Sequence, residues 1–593
     1  YFWSFRTLLR SRTVFGKSPE QRGGTWYEHL EHYAERLRTP LSIAFAFVAT
    51  HNHFVLERGG KVFNRSAPVI KLPPDATEDD HLALLGLLNS SVACFWMKQV
   101  FHCKGSQGIN EGLKSSLWEQ FYEFDATKMK LFPIPREAER IVSYAARLDE
   151  LARERTTRDV RRVLADSGWS SAVELSTALD RRREDDIADL RRMVALQEEL
   201  DWLCYAMYGL DDGDDVVPPQ SVEQVPPTWL PWCLEFAERD AANRAACARG
   251  DEPEEQPSVW FDRHRWESVT ALPEPLSVTT CARFESRRER MRKTPALALI
   301  ETANYKRRWY KPDHKTEENQ TLAAWLADQF EAAARERGRP AVAEQLAAAL
   351  QDDGRVLAVC EVLTGRRDYN LTALVAQMLS AEAVPNHPLH LYKPAGLLKH
   401  GVWERMREAQ RREDAGEDVT PEVPPSYRSG DFLRTEYWRV RGKLDVPKER
   451  FIAFTEVPGR NNVDTLYGWA GWTSLERLKA ILAIDEELED GGVPLADRIA
   501  LLDSAWRLLP DVAREDGTVA GRLKAELQAL AGSDGPSREL LEDWRKRFPP
   551  PSSCASRSNR KSRGNSRIRN KRPAPKGREA EQPTQVGAGD DAR

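Results

Sequence analysis

Residues 193–207 read MVALQEELDWLCYAM, and within them Met193, Leu196, Leu200, Leu203 and Met207 recur at spacings of 3, 4, 3 and 4. That rhythm sets one apolar seam along a helix. Continued upstream, the same register meets Asp189 and Asp186, so the seam runs for only about two heptads, fewer than the three or four that a coiled coil needs. A packed helical hairpin is therefore expected over 137–210, closed by Gly209 as its C-terminal cap.

Toward the N-terminus the period shortens. Ser42–Ala49 (SIAFAFVA), His53–Leu56 and Val69–Leu72 read as strands, with Gly59-Gly60 as a tight turn into a returning strand at Lys61–Asn64. From 79 to 100 a helical period returns through Leu82, Leu85, Leu88, Val92, Phe95 and Trp96. Toward the C-terminus, residues 211–282 are acidic and Pro-rich, which suits a linker or insertion, although Trp229–Phe236 has the pattern of a docked short helix. The resulting division is 1–136 mixed α/β, 137–210 helical, 211–282 linker or insertion, 283–410 helical and 411–431 linker. A small α+β unit occupies 432–550, with β-like starts at Tyr437–Val440 and Arg450–Thr455, and a basic tail covers 551–593. The fold class is α+β, predominantly helical.

The chain has 593 residues, 41% of them hydrophobic, enough for several cores, and its formal net charge of -5 excludes a uniformly basic nucleic-acid binder. Contact with DNA must come from a local basic surface. None of the eight cysteines forms a C-x-x-C pair, so the expectation is reduced thiols in a cytoplasmic protein with no structural zinc. No apolar run is long enough for a membrane span. The first residues, Tyr-Phe-Trp-Ser-Phe-Arg, lack an initiator Met and the order of a signal peptide, which reads as a fragment.

Amino-methylating enzymes need a Gly-rich turn for the methyl donor and an Asn/Asp-Pro-Pro-aromatic motif to hold a flipped base. Every Pro-Pro pair here comes after Leu72, Val217, Val225, Val423 or Phe548, or lies within Pro549–Pro551, and neither Gly-rich phosphate motif occurs. No catalytic, cofactor-binding or metal residue is expected in this chain. The pairs His29/His32, His51/His53 and His387/His390 lack a third ligand, and Lys311-Pro312-Asp313 lacks the strand context of a nuclease.

Several segments carry a family resemblance. They are Gly23–Glu28 (GGTWYE), Leu41–Leu56, Gly60–Asn64, Leu84–Ser91 (LLGLLNSS), Lys128–Pro135 (KMKLFPIP), Tyr305–Trp309 (YKRRW) and Tyr437–Pro447. Together they resemble the C-terminal half of the adenine-specific DNA methyltransferases of type 2 bacteriophage-exclusion (BREX) systems, the PglX type. The resemblance implies a target-recognition region at 1–136, S-adenosylmethionine as the parent enzyme's donor, double-stranded DNA as substrate and other phage-defence proteins as partners. The matching segments contain no counterpart of the family's catalytic motif. A protein-interaction scaffold and part of a restriction–modification enzyme are the competing readings.

A DNA-reading surface needs amides and cations that reach base edges and phosphates. The stretch His102–Trp118 supplies Lys104, Ser106, Gln107, Asn110 and Lys114 among three glycines. Composition alone fits a solvated loop equally well; the position between the Leu-Asn-Ser helix and Lys128–Pro135 favours DNA. Arg22 and Trp26, with Arg6, Arg10, Arg12 and Lys17 nearby, suit a phosphate-facing patch or a core edged by arginines. Tyr305–Trp309 is expected to pack rather than to touch DNA.

Overall fold

Among the described residues of the first 123, six short strands sort into two sheets. They were located in a computed structural model that describes residues 2–31, 41–105, 116–272, 276–458, 464–532 and 534–550. Strand β1 (Ser42–Phe45) is buried at all four positions, so it takes a neighbour on each side. Its antiparallel partners are β3 (Phe54–Glu57) and β4 (Val69–Ile70), and Ile43 lies opposite both Leu56 and Ile70. Strand β2 (Val48–Ala49) leaves for a second sheet of order β2-β6-β5, with β5 at His102–Gly105 and β6 at Phe121–Glu123. The apolar run 42–49, expected as one strand, thus serves two sheets.

Gly59 and Gly60 both hold positive φ (99° and 85°), as a tight turn requires. Lys61–Asn64 nevertheless forms no strand, and Val62 is exposed. Strand β1 occupies one edge of β3, and the polar Lys61–Asn64 brings no apolar face to bury against the other.

The helical stretch 79–100 is two helices, α1 (Glu78–Leu88) and α2 (Ser91–Val100). Ser90 takes an extended backbone and its side chain accepts the Ala93 N–H, which ends one helix and starts the next. Helix α3 (Val142–Thr157) packs against α4 (Ala172–Met207), which has 36 residues and opens on a Ser171–Glu174 capping box. Every residue of α4 from Met193 to Tyr205 is buried. It is a central helix contacted on all sides, which the two-heptad seam did not reveal.

Around α4 one core joins Leu56 of β3, Met97 of α2, Trp118 and Phe124 to Trp202, Trp232, Trp260 and Trp309. The composition of 211–282 suggested a linker, yet Val225, Leu230, Trp232, Trp260 and Phe261 are buried, and Pro231–Arg249 forms α5. Each large apolar side chain so buried contributes roughly 1.5–3 kcal/mol, which outweighs a polar average. Helix α6 (Val278–Lys293) lies against α5. Helix α7 (His314–Arg337) is capped by Asp313, which also meets Arg265; that accounts for the Lys-Pro-Asp sequence.

Strand β7 (Ala383–Pro385), within the stretch expected to be helical, pairs in parallel with β8 (Phe451–Ala453), and β9 (Tyr467–Trp469) completes a third sheet. Helix α8 (Pro394–Asp414) lies between these strands in sequence. Thr435–Arg441, expected to start as β, is helical: Tyr437 is buried and Trp438 packs on Phe432, so packing overrides the β-propensity of Tyr-Trp-Arg-Val. Helices α9 (Ser474–Asp490), α10 (Leu495–Glu515), α11 (Gly517–Ala531) and α12 (Arg538–Arg547) finish the described chain.

Three carboxylates of α4 lie inside the core. Glu198 and Asp201 each approach Lys306 Nζ at 2.9 Å, and Glu301 approaches it at 2.8 Å. Glu199 takes a two-pronged pair from Arg287 at 2.8 Å, and that guanidinium also lies over the Trp202 ring. Burial works against the Lys306 ammonium, yet Asp201, Glu198 and Glu301 raise its pKa well above the ordinary range. Burial pushes the Glu301 carboxyl up. Lys306→Met would leave buried carboxylates without their cation, and such a loss costs about 3–5 kcal/mol. Equilibrium denaturation should therefore show a clearly lower midpoint for this variant; an unchanged midpoint would mean that the cluster does not hold the core.

Candidate nucleic-acid interface

Strand β5 lies at the edge of its sheet, and its register against β6 shifts between Cys103 and Gly105. Such a bulge bends an edge strand and re-aims the chain beyond it. Lys104 sits in the bulge, half exposed, with its ammonium paired to Glu123. Ser106, Gln107, Asn110 and Lys114 lie outside the described residues. The chain re-enters at Ser116, and Trp118 is buried in the central core.

Arg308 lies beneath that return. Its Cζ is 5.2 Å from the centre of the Trp118 ring. Its guanidinium donates to His264 Nε2 (3.1 Å), Thr50 Oγ1 (2.8 Å) and the Tyr310 hydroxyl (2.6 Å). Burial pushes the His264 pKa down to about 4. The ring is therefore neutral at pH 7: Nδ1–H donates to the Trp260 carbonyl at 2.7 Å, and Nε2 is left to accept. All three acceptors on Arg308 are uncharged.

Its neighbour Arg307 repeats the pattern. It donates to Asn89 Oδ1 (3.2 Å) and His53 Nδ1 (3.0 Å), and its Cζ lies 5.1 Å from the Trp309 ring centre. Burial lowers the Arg307 pKa to about 10 and the His53 pKa to about 4. Lys98 is the third cation of this kind. It donates to the backbone and side-chain oxygens of Asn304 and lies over the Tyr122 and Tyr305 rings. Among the described residues no carboxylate lies within 4.0 Å of Lys98, Arg307 or Arg308. Lys98 and Arg308 lie close enough to act on each other, beside Tyr122 and Trp118 that flank the 102–118 segment, whereas Arg307 turns to His53 and Asn89. Cations paired with neutral acceptors are the electrostatic character that attracts an anion.

The Leu-Asn-Ser stretch fixes this region to the core. The Asn89 side chain joins the Phe54 backbone N–H and C=O at 3.0 Å each. Asn52 donates to the Leu88 and Ser90 carbonyls, and Asp201 of α4 accepts from the N–H and Oγ of Ser91.

The other sequence candidates separate. Arg22 is exposed, and Trp26 is half-buried with its ring edge-on to Tyr27. Arg6 is buried and pairs with Glu413 and Asp414, and Arg10 pairs with Glu20 and Glu413. Those two arginines hold the N-terminal residues on α8. His51 contacts the Ala303 carbonyl, and His53 contacts Arg307. His387 pairs with Asp503, and His390 contacts Thr455 and the Phe548 carbonyl. His32 lies outside the described residues. No group of three metal-ligating side chains occurs among the described residues, and none of their helices is long and apolar enough to cross a membrane. Arg307 and Arg308 were assigned to packing on sequence; the signal that could have found them is two arginines between residues that face inward.

Residues 193–551, more than half of the chain, match the family described as a domain of unknown function (DUF7008). The chain belongs to the DUF7008 family. It is also 36% identical over 500 residues to the adenine-specific methyltransferase PglX of Streptomyces coelicolor, an alignment that covers 81% of this chain and 40% of that enzyme. The chain thus spans about 40% of the length of this curated relative. No solved structure matches it. The DUF7008 match begins at Met193, within α4, and takes in Arg287 and Lys306–Arg308, whereas β1–β6 precede it.

Burial pushes the Lys98 ammonium down to about 8. The folded protein sheds this proton before the unfolded chain does, whose lysine titrates near 10.4. Stability should therefore rise with pH between about 8 and about 10.4, where the unfolded state binds more protons. Lys98→Met removes this contribution. Melting temperatures across that window check it: a slope equal to that of the unsubstituted chain would show that Lys98 is not desolvated.

Proposed function

We propose that this chain is the DNA-recognition and accessory part of a site-specific, S-adenosylmethionine-dependent adenine-N6 DNA methyltransferase that works in phage defence. The similarity to PglX along four fifths of the chain carries this reading. The cations Lys98 and Arg308, held by uncharged partners beside Tyr122 and Trp118 that flank the 102–118 segment, support it. In this reading Lys104, Ser106, Gln107, Asn110 and Lys114 approach base edges and phosphates, Arg22 and Trp26 flank the duplex, and the basic residues of 551–593 add sequence-independent affinity. The protein works in the cytoplasm, with other defence proteins as partners.

The donor is held by residues other than these. A donor site needs a Gly-rich strand-to-helix turn. Among the described strands the parallel pair is β7–β8, and the turn after β7 is Asn386-His387, already occupied by Arg477, Glu456 and Asp503. This chain's own residues fit S-adenosylmethionine poorly and are assigned no step of methyl transfer.

Mobility shifts of duplex DNA at graded salt test the reading. The logarithm of the binding constant should fall linearly with that of the salt concentration, leaving a sequence-dependent remainder. Lys104→Ala and Gln107→Ala should erode discrimination between sites by about 1–3 kcal/mol per lost base contact, more than they lower bulk affinity. Absence of binding to any duplex would sink the proposal. Turnover of labelled donor by this chain alone would show that the catalytic site had been misplaced.

A further inference from the structure

A cavity of about 700 Å³ lies mostly within the DUF7008 region, far in sequence from the recognition segment, bordered by Phe5, α8, α9 and α10. That volume falls within the range of about 300–1,000 Å³ usual for small-molecule sites. Pro385 and Asn386 line it at the carboxyl end of β7, where β7 runs parallel to β8. The carboxyl ends of parallel strands are where open sheets commonly receive ligands.

Its charges are unevenly distributed: Arg441 and Arg507 also pair with Glu449 and Asp503 behind the wall. Six arginines and four carboxylates line it. Each carboxylate is matched: Glu404 by Arg507, Glu408 and Asp511 by Arg411, and Asp445 by Arg441. Arg405, Arg407 and Arg477 remain, and among the described residues no carboxylate lies within 4.0 Å of any of them.

Arg477 is the most constrained of the three. It projects from the first turn of α9, and both Nε and Nη2 donate to the same uncharged acceptor, Asn386 Oδ1, at 2.7 Å from Nε. Asn386 in turn donates to the buried Glu456, so the amide separates the guanidinium from the nearest acid. Burial, with Arg441 close by, lowers the Arg477 pKa to about 10. A half-buried cation with spare donors and no counter-ion within 4.0 Å is stabilised by an anion of matching shape, and arginine binds phosphate in two-pronged fashion. Tyr392, Trp403 and Trp506 add aromatic wall, which suits the face of a nucleobase.

We propose that this cavity is a binding site for a small phosphate-bearing anion of nucleotide size, with Arg477 and Arg407 on the phosphates. S-adenosylmethionine, a net cation, is disfavoured there beside Arg405, Arg407 and Arg477, which have no carboxylate within 4.0 Å among the described residues. Nothing in this assignment depends on the chain reading DNA.

Calorimetric titration of the whole chain with ATP, inorganic triphosphate, adenosine and S-adenosylmethionine tests it, beside a short duplex DNA. ATP and triphosphate should bind saturably at one site, whereas adenosine and S-adenosylmethionine should not. Arg477→Gln should weaken ATP by at least about tenfold, a loss of one two-pronged charged contact. If Arg477→Gln fails to fold, Arg407→Gln carries the same expectation, since that side chain has no carboxylate to abandon among the described residues. Absence of ATP and triphosphate binding, affinity unchanged in the folded variant, or heat of binding from duplex DNA alone would each overturn the proposal.

Discussion

Carboxylates in the stretch of α4 that is buried on all sides, Met193–Tyr205, impose the arrangement of everything around them. Removing Glu198, Glu199 and Asp201 from water is costly unless each meets a cation or a full set of donors. The partners come from three separate places in the chain: Ser91 at the start of α2, Arg287 on α6 and Lys306 after α6. Each of those elements must therefore sit where its polar group reaches α4. The apolar core supplies most of the favourable energy. The ionic contacts choose which of many apolar packings is adopted, because a displaced element would leave an unpaired charge in a dry interior.

The same constraint places the candidate DNA surface. Ser91 on Asp201 anchors α2, Asn89 and Asn52 tie α1 and α2 to β3, and Lys306 draws its neighbours Arg307 and Arg308 to the edge of the core. Lys306 spends its charge on the three acids, whereas the two arginines spend theirs on a histidine ring, an amide and hydroxyls. Consecutive residues thus take opposite electrostatic roles. One neutralises the core, and the next two leave positive potential near the segment that resembles a target-recognition loop.

Much of this was legible in the sequence. The 3-4 spacing after Met193, the strand-like runs before residue 72 and the helices from Ser474 onward arise from local periodicity, and periodicity survives folding. The Leu-Asn-Ser stretch was recognised by resemblance, and its hydrogen bonds give the physical cause of that pattern. Local reading failed at 211–282, where a few tryptophans and leucines outweigh an acidic, Pro-rich average, and at Tyr437–Val440, where packing decides between strand and helix. Between the two readings of Arg6 and Arg10 it could not choose, because their partners Glu413 and Asp414 lie some four hundred residues away.

By itself the sequence determined the class of the fold, predominantly helical with small sheets, its kinship with adenine-specific methyltransferases, and the want of a Gly-rich turn or an Asn/Asp-Pro-Pro motif among its 593 residues. Only the tertiary structure decided which charges are matched. A lysine and an arginine are alike in a sequence; whether each meets a carboxylate, a neutral acceptor or an open cavity depends on contacts between distant segments. Those contacts distinguish Lys306, which is neutralised by carboxylates in the core, from Arg307, Arg308 and Arg477, which meet neutral acceptors.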